Sequence, residues 1–154
     1  MPFTRDEIQA AFDRYREAAA TAARTGDWSP WVECFTPDAH YVEHLYGEFR
    51  GRDEILAWID KTMTVWPFTQ MQAFPWDWYT IDAEQGWVVG QVANRFVDPG
   101  DGGTYESANW TRLVYAGDGL FGEEEDVYNP ERFAPMVKAW LEAWARHHPD
   151  RPSG

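Results

Sequence analysis

The hydrophobic repeat of this chain changes period at Pro67, and that change restricts the fold more than any other feature. Before it, Ile8, Ala11, Phe12, Tyr15, Ala18, Ala19 and Ala22 recur at helical spacing, and Ile55, Leu56, Ile59 and Met63 form a second stripe. After it, segments 72–81, 86–97 and 104–116 alternate with period two, as half-buried strands do. Helices grouped apart from a run of hairpin-linked strands imply an α+β fold, the helices packed on an antiparallel sheet.

Local signals set the boundaries. Thr4 and Glu7 form a capping-box pair that starts the first helix, and Gly26 stops it. Ser29 and Pro30 open a short second helix. Pro37 and Asp38 turn the chain into AHYVEHLYG (39–47), which reads as one strand. Gly51, Arg52 and Asp53 open the third helix, and Pro67 limits its extent. The segment PGDGG is a turn between strands, and Asp118-Gly119 leads into a last strand over 120–128. Asn129 and Pro130 cap a final helix that carries Phe133, Met136, Val137, Trp140, Leu141 and Trp144 on one side, with Tyr128 stapled onto Phe133. Repeats and linkers are absent, so a single domain over 1–154 is expected, with a frayed tail at 147–154.

Charge narrows the partners. A net charge of −13 argues against nucleic acid or an anionic membrane, and the only lysines, Lys61 and Lys138, make no basic patch. The single cysteine, Cys34, forms no intrachain disulfide and suits a reducing compartment. The first residues are polar, and no apolar run approaches the ~18 residues of a membrane span, so a cytoplasmic protein is expected. PGDGG lacks the helix and lysine of a nucleotide loop, and no GxSxG elbow or HExxH appears. His40 and His44 are spaced to share a strand face but have no evident third ligand, so neither a metal nor a cofactor is expected.

Three motifs, TGDW (25–28), FTPDAHYVEH (35–44) and FRGRDEI (49–55), occur in an order and spacing that resemble the nuclear transport factor 2-like superfamily over residues 4–145. That group includes ketosteroid isomerases, limonene epoxide hydrolases, scytalone dehydratases and SnoaL-like polyketide cyclases. The resemblance implies a cystatin-like cone, a curved antiparallel sheet wrapped around helices with an internal cavity, and a homodimer through the outer sheet face. Fold alone leaves the chemistry open.

Counting along the shared motifs, the resemblance places Glu43 where the isomerases carry a general-base aspartate and Tyr41 where the hydrolases carry a tyrosine. Asn94 falls on the hydrolases' second acid, Val92 replaces their arginine, and Asp126 falls on their last aspartate. The isomerases' oxyanion-hole acid has no clear counterpart, since Thr111 lies near that point. Parity puts Glu124, Asp126 and Tyr128 on one side of the last strand and Glu123, Glu125 and Val127 on the other. A bulge of one residue would bring His44 inward in place of Glu43.

Carboxylates among Trp and Tyr side chains gain pKa by desolvation, and two in one cavity raise it further, toward values useful for proton transfer. Asn94 or a tyrosine hydroxyl would then hold an oxyanion or a water. Catalytic candidates are thus Glu43, Asp126, Asn94, Tyr41 and His44. Substrate-binding candidates are Tyr15, Trp28, Trp58, Trp78, Trp110, Glu124 and Tyr128. Each has a plainer reading: Glu43 pairs with Arg50 or Arg52 at the surface, Asp126 helps cap the last helix, Asn94 satisfies a strand end, and the tryptophans fill the core. The leading expectation is a cofactor-free acid–base enzyme, of isomerase, cyclase, dehydratase or hydrolase type, acting on a small apolar molecule. The rival is a non-catalytic module of the same fold that binds an apolar ligand or another protein.

Overall fold

The structure, a computed structural model, describes residues 3–150. Helix α1 (Arg5–Thr25) begins with both halves of the capping box in place and ends at Gly26, whose φ of 80° supplies a left-handed stop. It buries Ile8, Phe12, Tyr15, Ala19 and Ala22. Then follow α2 (Ser29–Val32), strand β1 (Phe35–Glu43), strand β2 (Gly47–Arg50) and helix α3 (Gly51–Met63). The remainder is β3 (Met71–Ala73), β4 (Trp76–Asp82), β5 (Trp87–Phe96), β6 (Glu106–Gly117), β7 (Leu120–Val127) and helix α4 (Pro130–His147).

Seven strands form one curved, unclosed sheet in the order β2-β1-β7-β6-β5-β3, with β4 also paired to β5. This is the expected α+β architecture. Every pairing is antiparallel except β1 with β7, which is parallel. That one pairing decides which side chains meet in the site, because it sets Tyr41 opposite Glu124 and Glu43 opposite Asp126.

Two strand boundaries differ from the sequence reading. Segment 39–47 is not one strand. β1 starts earlier, at Phe35, whose carbonyl is held by the Arg52 guanidinium at 2.6 and 2.8 Å. It ends at Glu43, where the chain reverses and Gly47, at φ 116°, opens β2 back along it. Segment 72–81 breaks at Phe74-Pro75, because proline has no N–H for the ladder. The Pro75 carbonyl instead accepts from Ala93 N–H at 2.8 Å. Beyond that break β4 lies so close on β5 that a Cβ at Gly90 would collide with the Trp78 carbonyl and sit 2.7 Å from Tyr79 Cβ.

The main core fills the concave side of the sheet under α1, α2 and α3, around Phe12, Trp31, Phe35, Ile55, Leu113 and Phe121. A second cluster under α4 centres on Trp140, whose indole N–H donates to the Val97 carbonyl at 2.8 Å. Tyr128 and Phe133 meet at 6.0 Å between ring centres, so the staple holds the entry to α4. Helix α4 continues to His147, within the tail expected to fray; residues 151–154 of that tail lie outside the described residues.

Candidate active site

A pocket of about 810 Å³ lies between the concave sheet face and the helices. Its walls are aromatic, with Trp28, Trp31, Trp58, Phe74, Trp76 and Phe133 prominent, and exposed Leu45, Tyr46 and Val65 stand among its lining. Its polar side chains come mainly from β1, β5, β6 and β7, because strand alternation aims every second residue inward.

Glu124 and Asp126 are two apart on β7 and so face the same way. Tyr15 of α1 donates its hydroxyl to Glu124 at 2.8 Å. The Tyr41 hydroxyl touches Glu124 Oε1 at 2.9 Å and also Asp126 Oδ2. Thr111 donates to Asp126 Oδ1 at 2.6 Å. Tyr41 has one proton and two carboxyl neighbours. If it donates to Asp126, only a proton on Glu124 completes the second contact.

Burial points the same way. Glu124 is 2% exposed and held well above the ordinary carboxylate range, first by desolvation and next by the charge of Asp126. Burial also raises Asp126, but hydrogen bonds from Thr111, Tyr41 and Glu124 oppose it. Asp126 retains some accessible surface and lines the pocket, while Glu124 is sealed beside it. Both observations favour a proton on Glu124 over one on Asp126, the carboxyl that keeps accessible surface in the pocket.

A polar relay across β5 and β6 sets the direction of these bonds. The Ser107 carbonyl can only accept, and Asn94 Nδ2 donates to it at 3.0 Å. That fixes the Asn94 amide, whose Nδ2 also donates to Asn109 Oδ1 at 2.7 Å. Asn109 must then present its own Nδ2 to Thr111 Oγ1, at 2.7 Å. With its oxygen accepting there, Thr111 gives its proton to Asp126. A backbone carbonyl three side chains away therefore determines that Asp126 receives a hydrogen bond.

Glu43 faces the pocket and is 3% exposed. It pairs with neither Arg50 nor Arg52. Its two oxygens accept the N–H groups of Leu45 and Tyr46, both at 3.1 Å, and so fasten the turn between β1 and β2. Burial raises its pKa, opposed by the Leu45 N–H and then by the Tyr128 hydroxyl; burial and the charge of Glu43 in turn push Tyr128 upward.

Tyr15, Tyr41, Glu43, Asn94, Glu124, Asp126 and Tyr128 line this pocket with Trp28 and Trp58. Three candidates do not. His44 lies just beyond β1 and pairs with Glu125 at 2.7 Å on the outer face, so the one-residue slip that would bring it inward does not occur. Trp78 and Trp110 pack edge to face on the outer surface, 5.6 Å apart and 42% and 58% exposed. Aromatic type suggested the pocket for Trp110, but its parity is opposite to that of Thr111. Asn109 was missed, though it shares the parity of Thr111 and its cross-strand partner is Val92.

The family model for the SnoaL-like domain matches residues 5–120. The chain belongs to the SnoaL-like family. The match ends at Leu120, the first residue of β7, so the two carboxyls lie beyond it. Among solved structures similar to this SnoaL-like protein is the BvnE pinacolase from Penicillium brevicompactum, at 17% identity over 88% of this chain and 93% of that one, TM-score 0.62. A protein with a ketosteroid isomerase-like fold from Catenulispora acidiphila DSM 44928, in complex with trimethylamine, is 17% identical over 80% and 92%, TM-score 0.63. A nuclear transport factor 2-like protein from Anabaena variabilis ATCC 29413 is 13% identical over 84% and 94%, TM-score 0.62. Likeness at these identities is likeness of fold. No curated protein matches the sequence. No helix among the described residues is long and apolar enough to cross a membrane.

Proposed function

We propose that the pocket is the active site of a cofactor-free acid–base enzyme of the isomerase or cyclase kind, acting on a small, largely apolar molecule. The observation that carries this reading is the buried Glu124–Asp126 pair, bonded by two tyrosines and a threonine and open to the pocket at Asp126. Asp126 takes a proton from the substrate. With Glu124 protonated and the Tyr41 hydroxyl on Asp126, both carboxyls are then neutral, and the negative charge rests on the substrate until the proton returns. Return of that proton from Asp126 to a second substrate position completes an isomerisation or ring closure with atoms and charge balanced. Tuned carboxyls of this kind contribute about 10²–10⁴-fold to proton-transfer rates.

The family match and the SnoaL-like fold support the reaction class. The rival binding-module reading would gain from solvent-facing acids, and Glu43 and Asp126 both line the pocket. The test is solvent exchange: polyketide, terpenoid and steroid ketones are incubated with the protein in heavy water and read by mass spectrometry. Deuterium entering a ketone with wild type but not with Asp126→Asn is the expected result. Equal incorporation by the variant removes Asp126 from the mechanism.

The outer face supports a homodimer. Trp110 is opposite Val127 in the β6–β7 ladder, Val127 is 51% exposed, and Trp78 adjoins them. Sedimentation at micromolar concentration is expected to give twice the monomer mass, and Trp110→Ser is expected to lower it. A monomeric wild type contradicts the proposal.

A further inference from the structure

Hydrogen-bond donors at the floor of the pocket are almost all committed. Tyr15, Tyr41 and Thr111 spend their hydroxyl protons on the carboxyl pair. Both amide hydrogens of Asn94 are used, by the Ser107 carbonyl and by Asn109. Asn109 gives one hydrogen to Thr111 and keeps one, on a residue 8% exposed. The indole nitrogens of Trp31 and Trp58 are unpartnered, but both are buried away from the open space. What remains beside the carboxyl pair is mainly acceptors, the Asn94 side-chain carbonyl and the unused lone pairs of the Asp126 carboxylate, while the Tyr46 hydroxyl stands at the exposed end of the lining.

Charge has the same bias. Glu43, Glu124 and Asp126 all line the pocket, and among the described residues no Lys or Arg is ion-paired or hydrogen-bonded to any of them. Arg16 also lines the pocket but pairs with Asp13 at 2.5 Å and lies over the Phe12 ring. Lys61 on α3 is exposed, and Glu54 of the same helix lies along the same lining. The remaining surface is largely aromatic rings, whose faces attract cations.

We propose that the ligand of this pocket is an apolar molecule bearing a protonated amine, which donates to Asp126 against the aromatic walls. This inference rests on reading the pocket as the working site. A neutral hydroxyl satisfies the same acceptors more weakly. Beside Asp126, a carboxylate or phosphate meets mainly acceptors and negative charge.

Three probes with one skeleton test it: 4-phenylbutylamine, 4-phenylbutanol and 4-phenylbutyrate, titrated calorimetrically at neutral pH. The amine binds at least about tenfold tighter than the alcohol, because its bond to a carboxylate is charge-assisted. The butyrate binds weakest. Asp126→Asn narrows the amine-to-alcohol ratio about tenfold, while Glu123→Gln, which removes the same charge from the outer face, leaves the ratio unaltered. Butyrate binding as tight as the amine, no binding of any probe, or an amine preference that survives Asp126→Asn overturns the proposal. Failure here with Asp126-dependent deuterium exchange intact removes the substrate class alone. An amine preference without exchange removes the catalytic reading alone.

Discussion

Replacing Glu124 by Gln makes the proton on that side chain permanent in effect, and the consequence is a change in how stability depends on pH. Glu124 accepts from Tyr15 and touches Tyr41, and a glutamine can accept from one tyrosine and donate toward the other with little change of shape. In the wild type, the folded-state pKa lies above the ordinary value of 4.5. The associated stabilisation is therefore complete below that value and is lost as pH rises toward the folded-state pKa, since the unfolded chain ionises first. For each pH unit over which the folded pair keeps its proton, stability falls by about 1.4 kcal/mol. The variant lacks this loss. Chemical denaturation at about pH 5 and about pH 7 should show wild type and variant close together at the lower pH and the variant ahead at the higher. By the usual scaling for a chain of this length, each such pH unit corresponds to a melting-temperature difference of roughly 3–6 °C. Parallel stability curves, or a variant weaker by the same amount at both pH values, would refute a protonated Glu124.

Three further substitutions probe the surroundings. Thr111→Val removes a hydrogen bond to a charged group, worth about 1.5–3 kcal/mol, so the Asp126 pKa rises and the acid limb of the deuterium-exchange profile moves to higher pH. An unmoved limb contradicts the relay. Glu43→Ala frees the Leu45 and Tyr46 N–H groups and costs about 1–3 kcal/mol in denaturant, whereas Glu43→Gln retains an acceptor and costs less. Equal losses would remove the turn from the role of Glu43. Gly90→Ala forces β4 off β5 and lowers the melting temperature by several degrees or prevents folding, while Gly102→Ala, strained at φ 75° but with nothing within 4 Å of its Cβ, leaves β4 and β5 in register and amide exchange on β4 slow. Unchanged melting of Gly90→Ala contradicts the close approach.

The parts of this molecule that were legible in the sequence are those set by short-range rules. The Thr4–Glu7 box, the Gly26 stop and the Asn129-Pro130 cap stand where spacing put them, because a cap is completed within four residues. Parity on β7 separated Glu124 and Asp126 from Glu123 and Glu125, because a strand has only two faces. The hairpin from β1 to β2 was missed because its turn carries no Asn-Gly or Asp-Gly pair; a buried glutamate holds it instead. Pro75 is visible in the sequence, but the alternation around it masks the break that its missing N–H imposes. Trp78 and Trp110 were assigned by residue type, and the outer face gave no sequence sign of being apolar. Parity and the family resemblance turn three acids inward, Glu43, Glu124 and Asp126, and offer no cation to balance them. The balance lies in hydroxyls from α1, β1 and β6, brought together by tertiary packing and by the parallel pairing of β1 with β7.

Infrared difference spectroscopy tests the shared proton most directly. Spectra of wild type and Glu124→Gln, recorded at neutral pH in light and heavy water, isolate the carbonyl stretch of a protonated carboxyl from those of ionised ones. A protonated carboxyl band that is present in wild type, shifts in heavy water and disappears in Glu124→Gln is the expected result. A wild-type spectrum that contains only ionised carboxylates at neutral pH would contradict the one-proton Glu124–Asp126 pair on which the proposed chemistry depends.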